Sequence, residues 1–358
     1  MPVRTRAWSS IRKTRMVMET AASVGRIERR GAIHRRAINI VTMCVCYMRI
    51  RRSSRCAHCG ILGLSNGDSF MSELRHRLCL AVLLSFAASS ACADDGVSAR
   101  WQTQVGDISA HADTRARGDA IGRRLDAVGI AWKRDAFEHN GQAGQNLVAD
   151  LGGPDKAPLL LIGAHYDQVA IGHGATDNAS GVAAVLELAQ ALKAKPLAHH
   201  RVQVVFWDLE EKGLLGSSAW VATAGREQPA LYVNFDVFGW GDTLWMMAPD
   251  SGTPFVASLR EASAKEKLGF SPGDKYPPTD HLAFLKAGWP AVSFSLVGGD
   301  EIDPILAVFG GGKPAQVPKV MQVIHSPRDT TAELDASRVD DALRVVEQGL
   351  RAWDAAAH

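Results

Sequence analysis

Beyond Asp94 this chain of 358 residues contains no cysteine. All six cysteines, Cys44, Cys46, Cys56, Cys59, Cys79 and Cys92, come before that point, so a polypeptide that begins near Asp94 can form no disulfide. Cys56-Ala-His-Cys59 has the spacing of a zinc-binding pair, but no second pair follows it, which disfavours a structural zinc site there. Positive charge is also scarce outside the N-terminus. Residues 1–70 hold 14 Lys and Arg against 3 Asp and Glu, and with +2 for the whole chain residues 71–358 carry −9. An acidic body excludes a nucleic-acid partner held by phosphate contacts. G-x-S-x-G occurs at 63–67 and 269–273, but neither stretch follows an apolar strand and opens into a helix as a nucleophile elbow does, which disfavours a serine hydrolase. No H-E-x-x-H pair is present either, which disfavours a thermolysin-type zinc helix.

What is there begins with a targeting pattern. In "MSELRHRLCLAVLLSFAASSACADDG", from Met71, two arginines (Arg75, Arg77) precede the apolar run Leu78 to Ala88, and Ala91-Cys92-Ala93 precedes Asp94. This is the layout of a secretory signal peptide with an A-x-A cleavage site. The run is shorter than the roughly 18 residues a membrane helix needs, so no stable membrane span is expected in the mature form. Ser89, three residues before Cys92, stands where a lipoprotein signal would carry a large aliphatic side chain. The expected organisation is a non-native or miscalled extension over 1–70, a signal peptide over 71–93, and one domain over 94–358. Export to the periplasm or medium follows from it.

From about Val97 onward, apolar runs alternate with helical patterns. Helical spacing covers Ala110–Val128, Gly181–Ala194, Leu214–Thr223 and the long amphipathic Ala336–Ala356. Apolar runs at Asn146–Leu151, Leu159–Ala164, Val202–Trp207 and Leu231–Val237 read as strands, and Leu244–Ala248, Phe255–Lys267, Thr279–Ala287 and Pro290–Leu296 continue the mixture of helix and strand. "PLLLIGAH" is nearly continuous in apolar residues, as in a strand covered on both faces. The expected fold is α/β: a largely parallel sheet with helices on both faces. The Gly- and Pro-rich stretch Gly298–Pro318 reads as the longest irregular segment, of the kind that often rims a site.

In such sheets ligands bind outside the carboxyl ends of the strands. Those ends are where the polar residues fall. His165-Tyr166-Asp167 follows "LLLIGA", Asp208-Leu209-Glu210-Glu211 follows "VVFW", and Asp236 follows "LYVNF". "ATDNASGV" places Asp177 and Asn178 at a helix entry, and "VIHSPRDT" places His325 after a short apolar run. Singly each has a plain reading: Asp177 or Asn178 as a helix cap, His325 as a surface histidine, Glu210 and Glu211 as a solvated turn. Together they are the mixed nitrogen and oxygen donor set that suits zinc, cobalt or manganese. Two such ions sharing a carboxylate are a common hydrolytic arrangement, and a further carboxylate beside them would serve as general base.

"GAHYDQV", "GATDNASGVAAVLELA", "FWDLEEKGLLGS", "NFDVFGW", "YPPTDHLAFLKAGWPAVSFS" and "IHSPRDTTAELD" resemble, in order, the motifs of the di-zinc aminopeptidases related to bacterial leucyl aminopeptidase and aminopeptidase Y, in the zinc exopeptidase clan. The resemblance runs from Asn146 to the C-terminus. It implies a central mixed, mostly parallel sheet of about eight strands sandwiched by helices, and two zinc ions per chain. It implies His165 on one ion and His325 on the other, Asp177 bridging both, and Glu211 and Asp236 each completing a site. It further implies Glu210 as general base, Asp167 as the residue that orients His165, and Tyr276 as a donor to the developing oxyanion. Pro277 and Pro278 depart from the residues usual after that tyrosine, and Thr176 stands where many members have a second aspartate. The implied substrates are peptides with a free N-terminus, and the implied state is a monomer. Phe238, Trp240, Trp245, Met246, Met247 and Phe309 are candidate walls of an apolar specificity pocket, or ordinary core. A single-zinc glutaminyl cyclase, a carboxypeptidase and a non-catalytic binding module on the same fold are the rival readings.

Overall fold

The computed structural model describes residues 96–357. The expected extension over 1–70 and the expected signal peptide over 71–93 lie outside them. Among the described residues no helix is long and apolar enough to cross a membrane.

The chain opens with two helices, α1 (Val97–Ser109) and α2 (Thr114–Ala127). Sequence spacing pointed to one helix over Ala110–Val128; α2 instead starts after Asp113, whose carboxylate accepts from Ala116 N and caps it. Strands β1 (Trp132–His139), β2 (Gln142–Gly152) and β3 (Leu159–His165) follow. Next come α3 (Ser180–Ala194), β4 (Arg201–Trp207), α4 (Leu215–Ala222), β5 (Leu231–Phe238) and β6 (Thr243–Met247). The remainder is α5 (Pro254–Glu266), β7 (Gly269–Gly273), α6 (His281–Lys286), β8 (Ala291–Val297), α7 (Ile302–Phe309), α8 (Lys319–Val323) and α9 (Val339–Ala355). Helix α7 lies inside the stretch expected to be irregular. Its Pro304 falls in the first turn, where a missing N–H breaks no helical hydrogen bond. The last helix is shorter than expected, because Ala336–Arg338 forms a separate 3₁₀ turn ahead of it.

The strands form one eight-stranded sheet in the order β1-β2-β4-β3-β5-β8-β6-β7. The central pairs β3/β4, β3/β5 and β5/β8 are parallel, as is β6/β7, while β1/β2, β2/β4 and β6/β8 are antiparallel. The mixed sheet between helices is the expected one. Alternation on the central strands serves two cores. Leu160, Ile162 and Ala164 of β3, with Val204 and Phe206 of β4, join the large cluster under α1, α2, α3, α5 and α9. Leu161, Val205 and Trp207 face the other way, against Trp220 of α4 and Phe284 of α6. Each fully buried side chain of this size contributes about 1.5–3 kcal/mol by leaving water. Two strands escaped the sequence pattern because both are edges. In β1, "WKRDAFEH" is only partly buried and largely charged, and β7, "GFSPG", has proline and glycine where a central strand could not.

Candidate metal centre

The carboxyl ends of β3, β4 and β5 lie side by side because these strands are parallel neighbours. His165 is the last residue of β3 and is buried. After β4 the chain turns through Asp208 to Leu214. Gly213 takes a φ of +109°, which only glycine adopts without strain, and Gly213 N and Leu214 N both donate to Glu210 O at 2.8 Å. Strand β2 grips this turn. Asp208 N donates to Asn146 Oδ1 (3.1 Å), and the Asp208 carboxylate accepts from Gln145 N (2.9 Å), so Asp208 is a supporting residue, as expected. Asp167 accepts from Glu210 N (3.1 Å) and Glu211 N (3.2 Å) with its two oxygens, and its Oδ1 lies 3.5 Å from His165 Nδ1. One carboxylate thereby sets both the imidazole of His165 and the backbone of the adjacent glutamates.

Asp177 stands between the two histidines. His165 Nε2 is 3.1 Å from Asp177 Oδ1 and 3.5 Å from Asp236 Oδ1. His325 Nε2 is 3.1 Å from Asp177 Oδ2 and 3.1 Å from Glu211 Oε2. Donors held about 2.0–2.2 Å from a tetrahedral zinc lie roughly 3.3–3.6 Å from one another, and these four separations of 3.1–3.5 Å come within a few tenths of an ångström of that. Asp236 Oδ1 is buried and accepts no hydrogen bond, a vacancy in its bonding that a cation would fill. The residues therefore fit two metal ions that share Asp177. Glu210 carries an oxygen within 4.8 Å of the ligand atoms of His165 and Asp236, which sets it beside the His165 triad.

The electrostatics show crowded negative charge. Burial, reinforced by Asp280, Asp236 and Asp177 and opposed by His165, pushes the Glu210 carboxyl well above the usual range. Burial and then Asp177 raise Glu211. Hydrogen bonds to Asp177 and Glu211 lift His325 to about 10. For His165, burial is outweighed by Glu210, Asp167, Asp177 and Asp236, and the imidazole is raised well above its ordinary value. Bound protons on the histidines thus do part of what cations would do.

Tyr276 is the expected residue whose surroundings differ from its expected role. Its hydroxyl bonds Ser295 Oγ, and its ring packs on Trp245 with centroids 4.5 Å apart. The expected apolar walls resolve mostly into core: Phe238 and Met246 are fully buried, and Trp240, Trp245 and Met247 nearly so, leaving Phe309 as the exposed one. The partly buried Val237, Tyr276 and Ile324 instead form the apolar edge next to Asp236 and His325.

Four residues enter the site that sequence reasoning had not assigned a role in it. Asp280, in a quoted motif, is fully buried, and burial raises its carboxyl to about 7. Asp329 accepts from Thr176 N (2.6 Å) and Asp177 N (3.3 Å), holding the bridging residue. Asn178 caps α3 through Gly181 N (2.9 Å). Arg117 of α2 is wholly buried and donates to Tyr166 O, Gln168 Oε1, His173 O and Gly174 O at 2.7–3.1 Å, pinning the segment between His165 and Asp177. Nothing marked it among the other arginines of its helix.

The family described as peptidase family M28 matches residues 146–349, more than half of the chain. Leupeptin-inactivating enzyme 1 of Streptomyces exfoliatus is 38% identical over 191 residues, covering 50% of this chain and 42% of that protein. The probable lipoprotein aminopeptidase LpqL of Mycobacterium tuberculosis is 34% identical over 151 residues, covering 36% of this chain and 30% of that protein. The chain therefore spans less than half the length of these curated relatives. Among solved structures, the glutaminyl cyclase of Porphyromonas gingivalis superposes with a TM-score of 0.57 at 21% identity, over 71% of this chain and 97% of that one. That likeness is one of fold. With the family match covering more than half of its length, the chain belongs to peptidase family M28.

Proposed function

We propose that the protein is an exported zinc-dependent aminopeptidase that removes N-terminal residues from peptides. The observation that carries this reading is the pair of donor triads, His165/Asp177/Asp236 and His325/Asp177/Glu211, with Glu210 beside them. Those five residues would hold two zinc ions. When bound, zinc supplies Lewis acidity, making water nucleophilic near neutral pH and polarising a carbonyl oxygen.

The chain's own residues account for the rest. Glu210 accepts the proton of the attacking water and returns it to the leaving amine. Burial raises its carboxyl above the usual carboxylate range, the direction that helps a base hold a proton before returning it. Asp167 holds the Glu210 and Glu211 amides, so adjacent side chains can diverge, one toward a metal and one toward the water. The preference for an amino terminus follows the relatives named as aminopeptidases, the probable lipoprotein aminopeptidase among them. The probable lipoprotein relative is in keeping with export through a signal peptide over 71–93.

Glu210→Gln should retain zinc and lose turnover of an aminoacyl-nitroanilide by at least about a thousandfold. Metal analysis alongside the assay checks both halves, and full turnover in that variant removes Glu210 as the base. Cyclisation of an N-terminal glutaminyl peptide in place of hydrolysis would overturn the peptidase reading. Sequencing the secreted protein tests export, with a start near Asp94 expected.

A further inference from the structure

Strand β5 reaches Asp236 through a break in its ladder. Phe235 pairs with Phe294 and Phe238 with Leu296, so Asp236 and Val237 together oppose the single residue Ser295. This is a β-bulge, a device that re-aims a side chain next to a site. It keeps Phe235 and Phe238, three residues apart, in the same core. It also places Val237, a β-branched residue, at a φ of +56°, a strained conformation that persists only when its surroundings enforce it.

The enforcement comes from side chains on two sides. On one side Asn178, next to the bridging Asp177, donates from Nδ2 to Phe235 O (2.9 Å) and accepts at Oδ1 from Val237 N (3.3 Å). Ser180 Oγ accepts from Phe238 N (2.9 Å). Gly181 lets this contact close, since a Cβ there would meet Asn178 Oδ1 at 2.3 Å and Phe235 O at 2.7 Å. On the other side Ser295 Oγ donates to Asp236 O and is itself bonded by the Tyr276 hydroxyl. The backbone groups around Asp236 that the sheet leaves unpaired are thus held by Asn178, Ser180 and Ser295.

We propose that Asn178 and Ser295 are positioning residues for one metal site, holding the Asp236–Val237 bulge between them so that the Asp236 carboxylate faces His165. The inference rests on the two-metal reading above. Asn178 ties the spacing of Asp236 to that of Asp177, and Ser295, with Tyr276 behind it, fixes the bulge from β8. Tyr276 then acts through Ser295 on the metal ligand.

The test is zinc binding by the metal-free full chain, measured by competition with a chelator. Glu211→Ala leaves only the His165 site intact and Asp236→Ala only the His325 site. Ser295→Ala should weaken zinc at least tenfold in the Glu211→Ala background and change it less than twofold in the Asp236→Ala background. Asn178→Ala should lose more affinity in the first background than in the second, and Tyr276→Phe, which deletes one hydroxyl and spares the fold if Ser295→Ala does not, should lose several-fold in the first alone. Unchanged affinity in the first background, or equal losses in both, overturns the positioning role. A wild-type chain that does not bind two zinc ions overturns the proposed function instead.

Discussion

His165 and His325 each face carboxylates that hold a proton on the imidazole and would equally hold a cation. In the metal-free protein His325 is raised to about 10, chiefly by Asp177 and Glu211, and His165 is raised as well. A histidine whose folded pKa exceeds its unfolded value, about 6.5, stabilises the fold in full below that value. The contribution fades as pH climbs toward about 10. Zinc needs neutral imidazole, so it must displace these protons. Binding near pH 7.5 should release about two protons per chain, and apparent affinity should rise with pH up to about 10. Calorimetry in buffers of different ionisation enthalpy measures the release, and zinc binding with no proton release would remove the histidines as ligands. The donor residues themselves were legible in the sequence, because ionisable groups just past apolar runs have few structural reasons to be there. Arg117 was not legible, because its role depends on a loop that lies about fifty residues on in sequence.

Elements end where local chemistry stops them, and one end is imperfect. Helix α5 closes on Lys267 in the left-handed region, φ +53°, with its N–H turned back to Ala264 O and Ser263 O. Lys267 is exposed and far in sequence from the metal donors. A side chain in that conformation costs about 1 kcal/mol relative to glycine, which is the residue usual there. Lys267→Gly should therefore raise stability by about 0.5–1 kcal/mol, or about 2 °C in melting temperature, without altering activity. A lower melting temperature would show that the lysine makes contacts outweighing the strain. The helices and central strands were readable because their apolar periods are strong. The bulge at Asp236 was not, since "LYVNFDVF" alternates without a visible interruption and only pairing with Ser295 reveals the extra residue.

Across the whole molecule, the candidate metal donors come from five separate segments: the end of β3, the turn before α3, the loop after β4, the bulge of β5 and the stretch just past α8. A ligand bound only by the folded chain stabilises it by mass action, about 2.7 kcal/mol per site at a hundred times the dissociation constant. Removing zinc with a chelator should lower the melting temperature by several degrees while leaving far-ultraviolet circular dichroism unchanged, because the sheet and its two cores do not depend on the ions. Loss of secondary structure on chelation would show instead that the metals are required for folding.

Local sequence determined the long helices, the central strands and the residue types of the site, because strand and helix periods and strand-end polarity are encoded within a few neighbouring residues. Only the tertiary structure decided which carboxylate belongs to which histidine. Asp236 pairs with His165, Glu211 with His325, and Asp177 lies between them. It also decided that Tyr276 meets Ser295 and that five of the six expected pocket walls are core. The physical reason is that these contacts join strands and loops tens to more than a hundred residues apart, and their geometry follows from strand order and one bulge, which no short-range pattern records.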